Sequence, residues 1–266
     1  MDPVLLDLHD GVARVTFNRP QRRNALNLAM RERMAEVVQE LRRNDDIRAV
    51  VLTGAGGAFC SGGDLEGILG AELDNDGWRT RMRGLHHWLK DLMTLEKPVI
   101  AAVDGAAYGA GFSLALVADV ILATPRARFS MSFLKVGAVP DLAALYSLPR
   151  AVGPRLAREL MLSTQELDAE RAHALGIVSE VVASEQLLAR AQQIAHSFTG
   201  ASALAVGLVK TLTARAINSD LDSMLDAEAA AQALVFGCDY HRQAIDRFLT
   251  KQPPLFVWPQ ASEQDA

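Results

Sequence analysis

Cysteine is nearly absent: Cys60 and Cys238 are the only two in 266 residues, and they stand far apart. One distant pair cannot build a disulfide framework, and no Cys/His spacing of a zinc site accompanies it, so no metal is expected. Neither charge sign dominates, with 27 Lys and Arg against 32 Asp and Glu for a net charge of −5. A mixed surface of that kind offers no broad basic face to nucleic acid or to an anionic membrane. No apolar run is long enough to cross a bilayer, and Met1-Asp-Pro-Val-Leu-Leu-Asp7 lacks the basic, apolar and small-residue order of a signal peptide. These absences lead to the expectation of a soluble protein of a reducing cytoplasm. H-E-x-x-H is missing among the six histidines, and no Walker lysine follows a glycine-rich turn.

What the chain does have is apolar content, at 50% hydrophobic residues, enough for one large domain or one domain with an appendage. The alternating segments Val4–Leu8 and Val12–Phe17 around Asp10-Gly11 predict a β-hairpin. Asn27 is placed to cap a helix whose Met30, Met34, Val37, Val38 and Leu41 share one face. Strands are predicted at 48–53, 99–103, 120–123, 128–130 and 177–182, and helices over 76–96, 113–118, 142–149, 154–163 and 169–175. A loop is expected at 135–142, and from Ser184 the pattern is helical to about Leu249. The fold class is therefore α/β, with a soft boundary near residue 199.

Two glycine-rich strand exits carry the chemistry. The first is Gly54-Ala-Gly-Gly-Ala-Phe-Cys-Ser-Gly-Gly-Asp-Leu65; the second follows Val99–Val103 and contains Gly105, Gly109 and Gly111. A strand, tight turn and helix bring unpaired backbone N–H groups to a helix N-terminus, a site for a negative oxygen or, more plainly, a close-packed crossover. Neither exit completes the dinucleotide-binding G-x-G-x-x-G. Gly111-Phe-Ser113-Leu-Ala115 comes near the nucleophile elbow G-x-S-x-G but lacks its last glycine, so a serine hydrolase stands as a rival reading. Ser113 can equally be a helix residue bonded to backbone.

Three separated motifs carry a resemblance. They are Asn18-Arg-Pro with Arg23-Asn-Ala-Leu-Asn27, Val51-Leu-Thr-Gly-Ala-Gly56 with Ala58-Phe-Cys-Ser-Gly-Gly-Asp-Leu65, and Lys97-Pro-Val-Ile-Ala-Ala-Val-Asp-Gly-Ala-Ala-Tyr-Gly-Ala-Gly111. In this order and spacing the chain resembles the crotonase, or enoyl-CoA hydratase/isomerase, superfamily over nearly its whole length. Ala127-Arg-Phe129, Leu148-Pro-Arg-Ala-Val-Gly153 and Ala169-Glu-Arg-Ala-His-Ala-Leu-Gly176 extend the match.

The resemblance implies a spiral of ββα units over residues 1–198, holding the CoA site and the active site. It also implies a helical region over 199–266 that builds a homotrimer or a hexamer of paired trimers. It implies an acyl-CoA thioester as substrate and no further cofactor. The thioester oxygen would be held by the backbone N–H groups of Ser61 and Ala110. Arg22, Arg23, Ala25, Ala58, Gly62, Gly63, Asp64, Leu65, Tyr108, Gly109 and Phe133 would line the CoA and acyl positions. Trp78, Met82 and Tyr146 are further candidates for the acyl wall.

Departures from the pattern decide the expected reaction. The two glutamates of a hydratase correspond here to Ser113 and Phe133, neither of which can act as acid or base near neutral pH. A carboxylate appears instead at Asp141, and the run 133–141 is similar to the isomerases of phenylacetate breakdown, which convert a ring epoxide to an oxepin and shift enoyl double bonds. One carboxylate suffices for a 1,3-proton shift, so isomerisation with Asp141 as acid/base is the expectation, in fatty-acid or aromatic degradation. Phe133, Val136 and Leu145 are expected to desolvate Asp141 and raise its pKa; a plain helix cap is the alternative role. Three readings remain beside isomerisation: a weak hydratase, a CoA-binding protein without catalysis, and a 4-chlorobenzoyl-CoA-type dehalogenase with Asp141 as nucleophile and His86 as its helper.

Overall fold

A computed structural model describes residues 2–260; Met1 and residues 261–266 of the expected C-terminal region lie outside the described residues. The chain opens with the antiparallel hairpin β1 (Val4–His9) and β2 (Val12–Phe17), turned at Asp10 and Gly11, both at positive φ. Helix α1 (Leu28–Arg43) follows with Asn27 as its cap, the Asn27 side chain accepting from the Met30 N–H at 3.0 Å. All five residues of its predicted apolar face are buried.

From there the chain repeats one plan. Strand β3 (Ala49–Gly54) pairs in parallel with β2, and the first glycine-rich exit follows it. Asp64 caps a five-residue helix α2 (Leu65–Leu69), too short for an apolar period to announce it in sequence. Helix α3 (Asn75–Met93), strand β4 (Val99–Val103), strand β5 (Ala106–Tyr108) and helix α4 (Ala110–Ala115) come next. Strands β6 (Val120–Ala123) and β7 (Arg128–Ser130) repeat the step before a single-turn 3-10 segment at Ser132–Val136. Helices α5 (Ala144–Val152) and α6 (Pro154–Ser163), the short strand β8 (Leu167–Asp168), α7 (Ala169–Ala174) and β9 (Glu180–Val181) complete the core with α8 (Leu187–Ser197).

The two strands of each unit go to different sheets. The larger sheet has the order β1-β2-β3-β4-β6-β9, and the smaller has β5-β7-β8. An isolated parallel bridge, Cys60 to Ala107, ties the first glycine-rich exit to the edge of the smaller sheet. This is the expected spiral of ββα units. One face of the larger sheet lies on the main core, while the other carries Val12, Val51, Ile100 and Leu122 against Leu187, Ala191 and Ile194 of α8. Coverage on both faces explains why β3 and β4 are apolar without alternation.

Several boundaries differ from the sequence reading. Helix α4 begins at Ala110 rather than Ser113, because Gly109, at φ 50°, lets the chain turn directly out of β5. Helix α5 begins at Ala144, because Leu142 and Ala143 both stand in the left-handed region at φ 50° and 61°. The strand expected at 177–182 is paired only at Glu180 and Val181. Beyond residue 199 the helical stretch is three helices, α9 (Ala203–Ala216), α10 (Leu221–Phe236) and α11 (Asp239–Leu249). Lys210 fastens α9 to the core through the Lys97 carbonyl and Asp119. The segment after α11 turns back, stacking Phe256 on Phe198 at 5.5 Å. No helix among the described residues is long and apolar enough to cross a membrane.

Backbone closeness sets two opposite expectations. A methyl group at Gly111 would overlap the Cys60 carbonyl, whereas one at Gly84, on the exposed side of α3, would meet nothing within 4 Å. Gly111→Ala should therefore destabilise the fold by about 1–3 kcal/mol. Gly84→Ala should stabilise it by up to about 1 kcal/mol. Thermal unfolding of both variants checks this, and shifts of the same sign would contradict it.

Candidate active site

Two hollows invite attention. The larger, about 930 Å³, lies between the core and α9 and is walled by Pro98, Asp119, Lys210, Tyr240 and Phe256, with its lysine already bonded to Asp119. The smaller, about 150 Å³, lies where the two glycine-rich exits meet. Its wall brings together Ser61, Gly62 and Gly63 from the first exit, Gly109 and Ala110 from the second, and Phe133, Leu142 and Asp141 from beyond β7. The smaller one holds the residues that the two glycine-rich exits and Asp141 supply.

Its backbone is arranged by close contacts that only these sequences permit. The Leu26 N–H donates to the Gly62 carbonyl at 2.7 Å and the Asp64 N–H donates to the Leu26 carbonyl at 3.3 Å, a parallel bridge in which Gly63 faces away from Leu26. Gly62, at φ 108°, lets this loop approach the second exit, where a Cβ would stand 2.9 Å from the Tyr108 carbonyl. Ala110 opens α4, so its N–H has no intrahelical acceptor. Among the described residues no acceptor takes the N–H of Gly63 or of Ala110.

The expectation for Ser61 needs correction. Its N–H donates to the Arg23 carbonyl at 2.9 Å, because Arg23 and Asn24, both left-handed at φ 47° and 57°, turn that carbonyl toward the loop. Gly63, whose N–H no acceptor takes, therefore replaces Ser61 as the candidate donor from the first exit. Ser113 is fully buried and its hydroxyl donates to the Gly109 carbonyl at 3.2 Å, so it is a helix residue and no exposed nucleophile. The serine hydrolase reading falls with it.

Asp141 does not cap a helix either. The two left-handed residues after it displace the start of α5, and its Oδ1 is buried with no hydrogen-bond partner. It is the one carboxylate on the wall of the hollow among the described residues. Burial pushes its carboxyl above its ordinary value, against the pull of Arg31, His86 and its own N–H. Phe133 and Val136 border it as expected, but Leu145 faces another hollow with Pro149 and Met161. His86 is exposed and also lines a different hollow, with Lys90 and Tyr146. It reaches Asp141 through its charge and not through the wall of the site. Trp78, Met82 and Tyr146 are likewise absent from that wall.

The residues expected along CoA divide. Leu65 borders the hollow and is exposed, and Ala58 is buried and not on the wall. Asp64 is held by Arg19 at 2.9 Å; burial alone would push its carboxyl up, but Arg19 and the Gly67 N–H keep it below its ordinary value. Arg22 pairs with Glu66 at 2.8 Å, whereas Arg23 is exposed and has no carboxylate at ion-pair distance among the described residues. Ala25 gives its N–H to the Arg22 carbonyl at 3.0 Å, holding this loop in its turn. Tyr108 donates its phenol to Glu166, and burial with that bond pushes the phenol up to about 12. Sequence reading missed Ser132 and Arg31 on the wall. The signal for Arg31 was its place beside Met30, Met34 and Val38 at the edge of the buried face of α1.

With this geometry in view, the comparisons are specific. A profile of the enoyl-CoA hydratase/isomerase family matches residues 7–259. The chain belongs to that family. It is 36% identical to 1,2-epoxyphenylacetyl-CoA isomerase of Escherichia coli (strain K12) over 262 residues, covering 97% of this chain and 99% of that one. It is 32% identical over 254 residues to the short-chain-enoyl-CoA hydratase of Clostridium acetobutylicum, covering 95% and 96%. Among solved structures, an enoyl-CoA hydratase/isomerase from Cupriavidus metallidurans CH34 superposes with a TM-score of 0.93 at 43% identity, covering 98% and 99%. The crotonase-like fold and an acyl-CoA enzyme of this family follow. Similarity reaches both isomerases and hydratases, so the reaction rests on the site.

The electrostatics give a prediction. Asp141 should titrate above the roughly 3.9 of a free aspartate, and Arg31→Met should raise its midpoint further by removing a nearby positive charge. Carbon-13 NMR of labelled aspartate carboxyls reads both. A midpoint at or below the free value, or one that falls in Arg31→Met, would contradict the assigned balance.

Proposed function

We propose that this enzyme isomerises an enoyl-CoA or a ring 1,2-epoxide of an acyl-CoA, with Asp141 as its sole acid and base. The observation that carries the reading is the Asp141 carboxylate, half-buried with its Oδ1 buried and unpartnered, sharing one small hollow with the free amides of Gly63 and Ala110. A thioester oxygen seated on those two donors would take up negative charge as a proton leaves the neighbouring carbon. Asp141 would accept that proton at C2 and return it at C4. A raised carboxyl pKa suits the task, since it brings the base nearer to neutral pH.

The absence of a second carboxylate on the described wall supports isomerisation over hydration. Hydration needs one group to activate water and another to deliver a proton, and Ser113 is buried away while Phe133 is apolar. The dehalogenase reading loses support from His86, which lies outside the wall. Arg23, exposed beside Tyr108, suits a phosphate of CoA through its planar fork of donors. For the assembly we propose a homotrimer or a pair of trimers built through the C-terminal helices. That assignment draws support from Leu221, Phe236, Phe248 and Leu249 of α10 and α11, large apolar side chains exposed on the single chain. The cytoplasm is proposed on cysteine content alone.

Wild type, Asp141→Asn and Ser113→Ala assayed on 3-enoyl-CoA, 2-enoyl-CoA and 4-chlorobenzoyl-CoA should separate these readings. Asp141→Asn should lose about 10²–10⁴ in kcat for the double-bond shift, while Ser113→Ala should keep most of it. Formation of 3-hydroxyacyl-CoA at a rate comparable to the shift would overturn the isomerase reading. The acid limb of kcat/KM should lie above about 3.9, activity falling as pH drops through the raised pKa and Asp141 takes up its proton.

A further inference from the structure

The hollow contains a second charged group that the double-bond shift does not use. Arg31 projects from the first turn of α1 into the same wall as Asp141, Gly63 and Ala110. Its Nε is buried with no partner, and among the described residues its guanidinium has no carboxylate at ion-pair distance. Asp141 opposes it electrostatically but is not bonded to it, and Asp141 Oδ1 is unpartnered as well. Two opposite charges thus line one small space without closing on each other.

A second arginine makes the imbalance larger. Arg81 of α3 stands near enough to Arg31 to push its guanidinium down, adding to burial, and Arg81 Nε is also buried without a partner. Arg81 lies over the Trp78 ring at 5.1 Å and likewise has no carboxylate at ion-pair distance among the described residues. Arg31 and His86 act on Asp141, and Arg81 acts on Arg31, while Asp141 is the one carboxylate on the described wall. Burying an unpaired guanidinium is costly, and an apolar residue would hold the edge of α1 with less expense. A half-buried cation with an unpartnered, buried Nε and no ion-pair partner is a site for an anion.

We infer that Arg31 is a specificity residue that receives a carboxylate at the far end of the acyl group, so that the preferred substrates are CoA thioesters of short dicarboxylic acids. This rests on the proposal that the hollow binds an acyl-CoA. Its volume of about 150 Å³ limits the acyl group, being that of a cavity known to take a six-carbon ring. With the thioester oxygen on Gly63 and Ala110 and the reacting carbons at Asp141, the far carboxylate meets Arg31. A charge-assisted, two-pronged contact there would both orient the chain and neutralise the surplus cation.

The test uses two unreactive saturated thioesters of equal length, hexanoyl-CoA and adipoyl-CoA, which differ only in the terminal carboxylate. Their dissociation constants are measured by calorimetry on wild type, Arg31→Met and Arg31→Lys. Wild type should bind adipoyl-CoA more tightly than hexanoyl-CoA, and Arg31→Met should reduce that ratio by about tenfold to a hundredfold. Arg31→Lys, which keeps the charge without the fork, should fall between. Tighter binding of hexanoyl-CoA by wild type would overturn the inference even if neither variant folds, and so would a ratio unchanged in Arg31→Met. Failure of both thioesters to bind would overturn the acyl-CoA reading together with it. Adipoyl-CoA preference without any turnover of hex-3-enedioyl-CoA, the 3-enoyl thioester that carries the far carboxylate, would leave the inference standing and remove the isomerase reading alone.

Discussion

The contact on which the structure depends is backbone against backbone, between the glycine-rich segment that leaves β3 and the one that leaves β4. Cys60 bridges to Ala107, its N–H donating to the Ala106 carbonyl at 2.9 Å and its carbonyl accepting the Tyr108 N–H at 3.0 Å. Gly62 and Gly111 stand where a side chain would strike the opposite segment. Because the two segments touch, the amides at their ends face one space. The spiral supplies the segments by sending the two strands of each unit to different sheets, and the buried faces on both sides of the larger sheet hold them still.

Onto this backbone site the chain adds one carboxylate by a strained turn. Leu142 and Ala143 occupy the left-handed region, where a residue with a side chain costs about 1–3 kcal/mol. The gain is placement, since a relaxed helix start would draw Asp141 into a cap. Instead its carboxyl lies in the hollow with an unpartnered oxygen, raised by burial and restrained by the nearby positive charges. The positive charges that oppose the effect of burial on Asp141 would also favour an enolate and a second anionic group in the space beside it.

Much of this was legible in the sequence where local pattern and long-range packing agree. The apolar stripe of α1 with its Asn27 cap, the unbroken strands β3 and β4, and the Asp168 cap of α7 all lie where period and capping chemistry put them. Asp141 stood out because a carboxylate sits where the rest of the pattern is apolar. What escaped notice depends on tertiary contact. Strand β5 is three residues long and exists through its pairing with β7. The exchange of Ser61 for Gly63 turns on an acceptor, the Arg23 carbonyl, supplied from a loop far away in sequence. Arg31 reads as a surface arginine on a helix until α3 and the turn at Asp141 close around it.

The central claim is that Gly63 and Ala110 hold a thioester oxygen while Asp141 alone moves the proton. A crystal structure with hexanoyl-CoA bound measures this most directly. The account predicts the thioester oxygen within about 3.1 Å of both amide nitrogens, and an Asp141 carboxylate oxygen about 3 Å from C2 or C4. A thioester oxygen resting on the Ser61 amide, or a second carboxylate closer to the reacting carbons than Asp141, would contradict it.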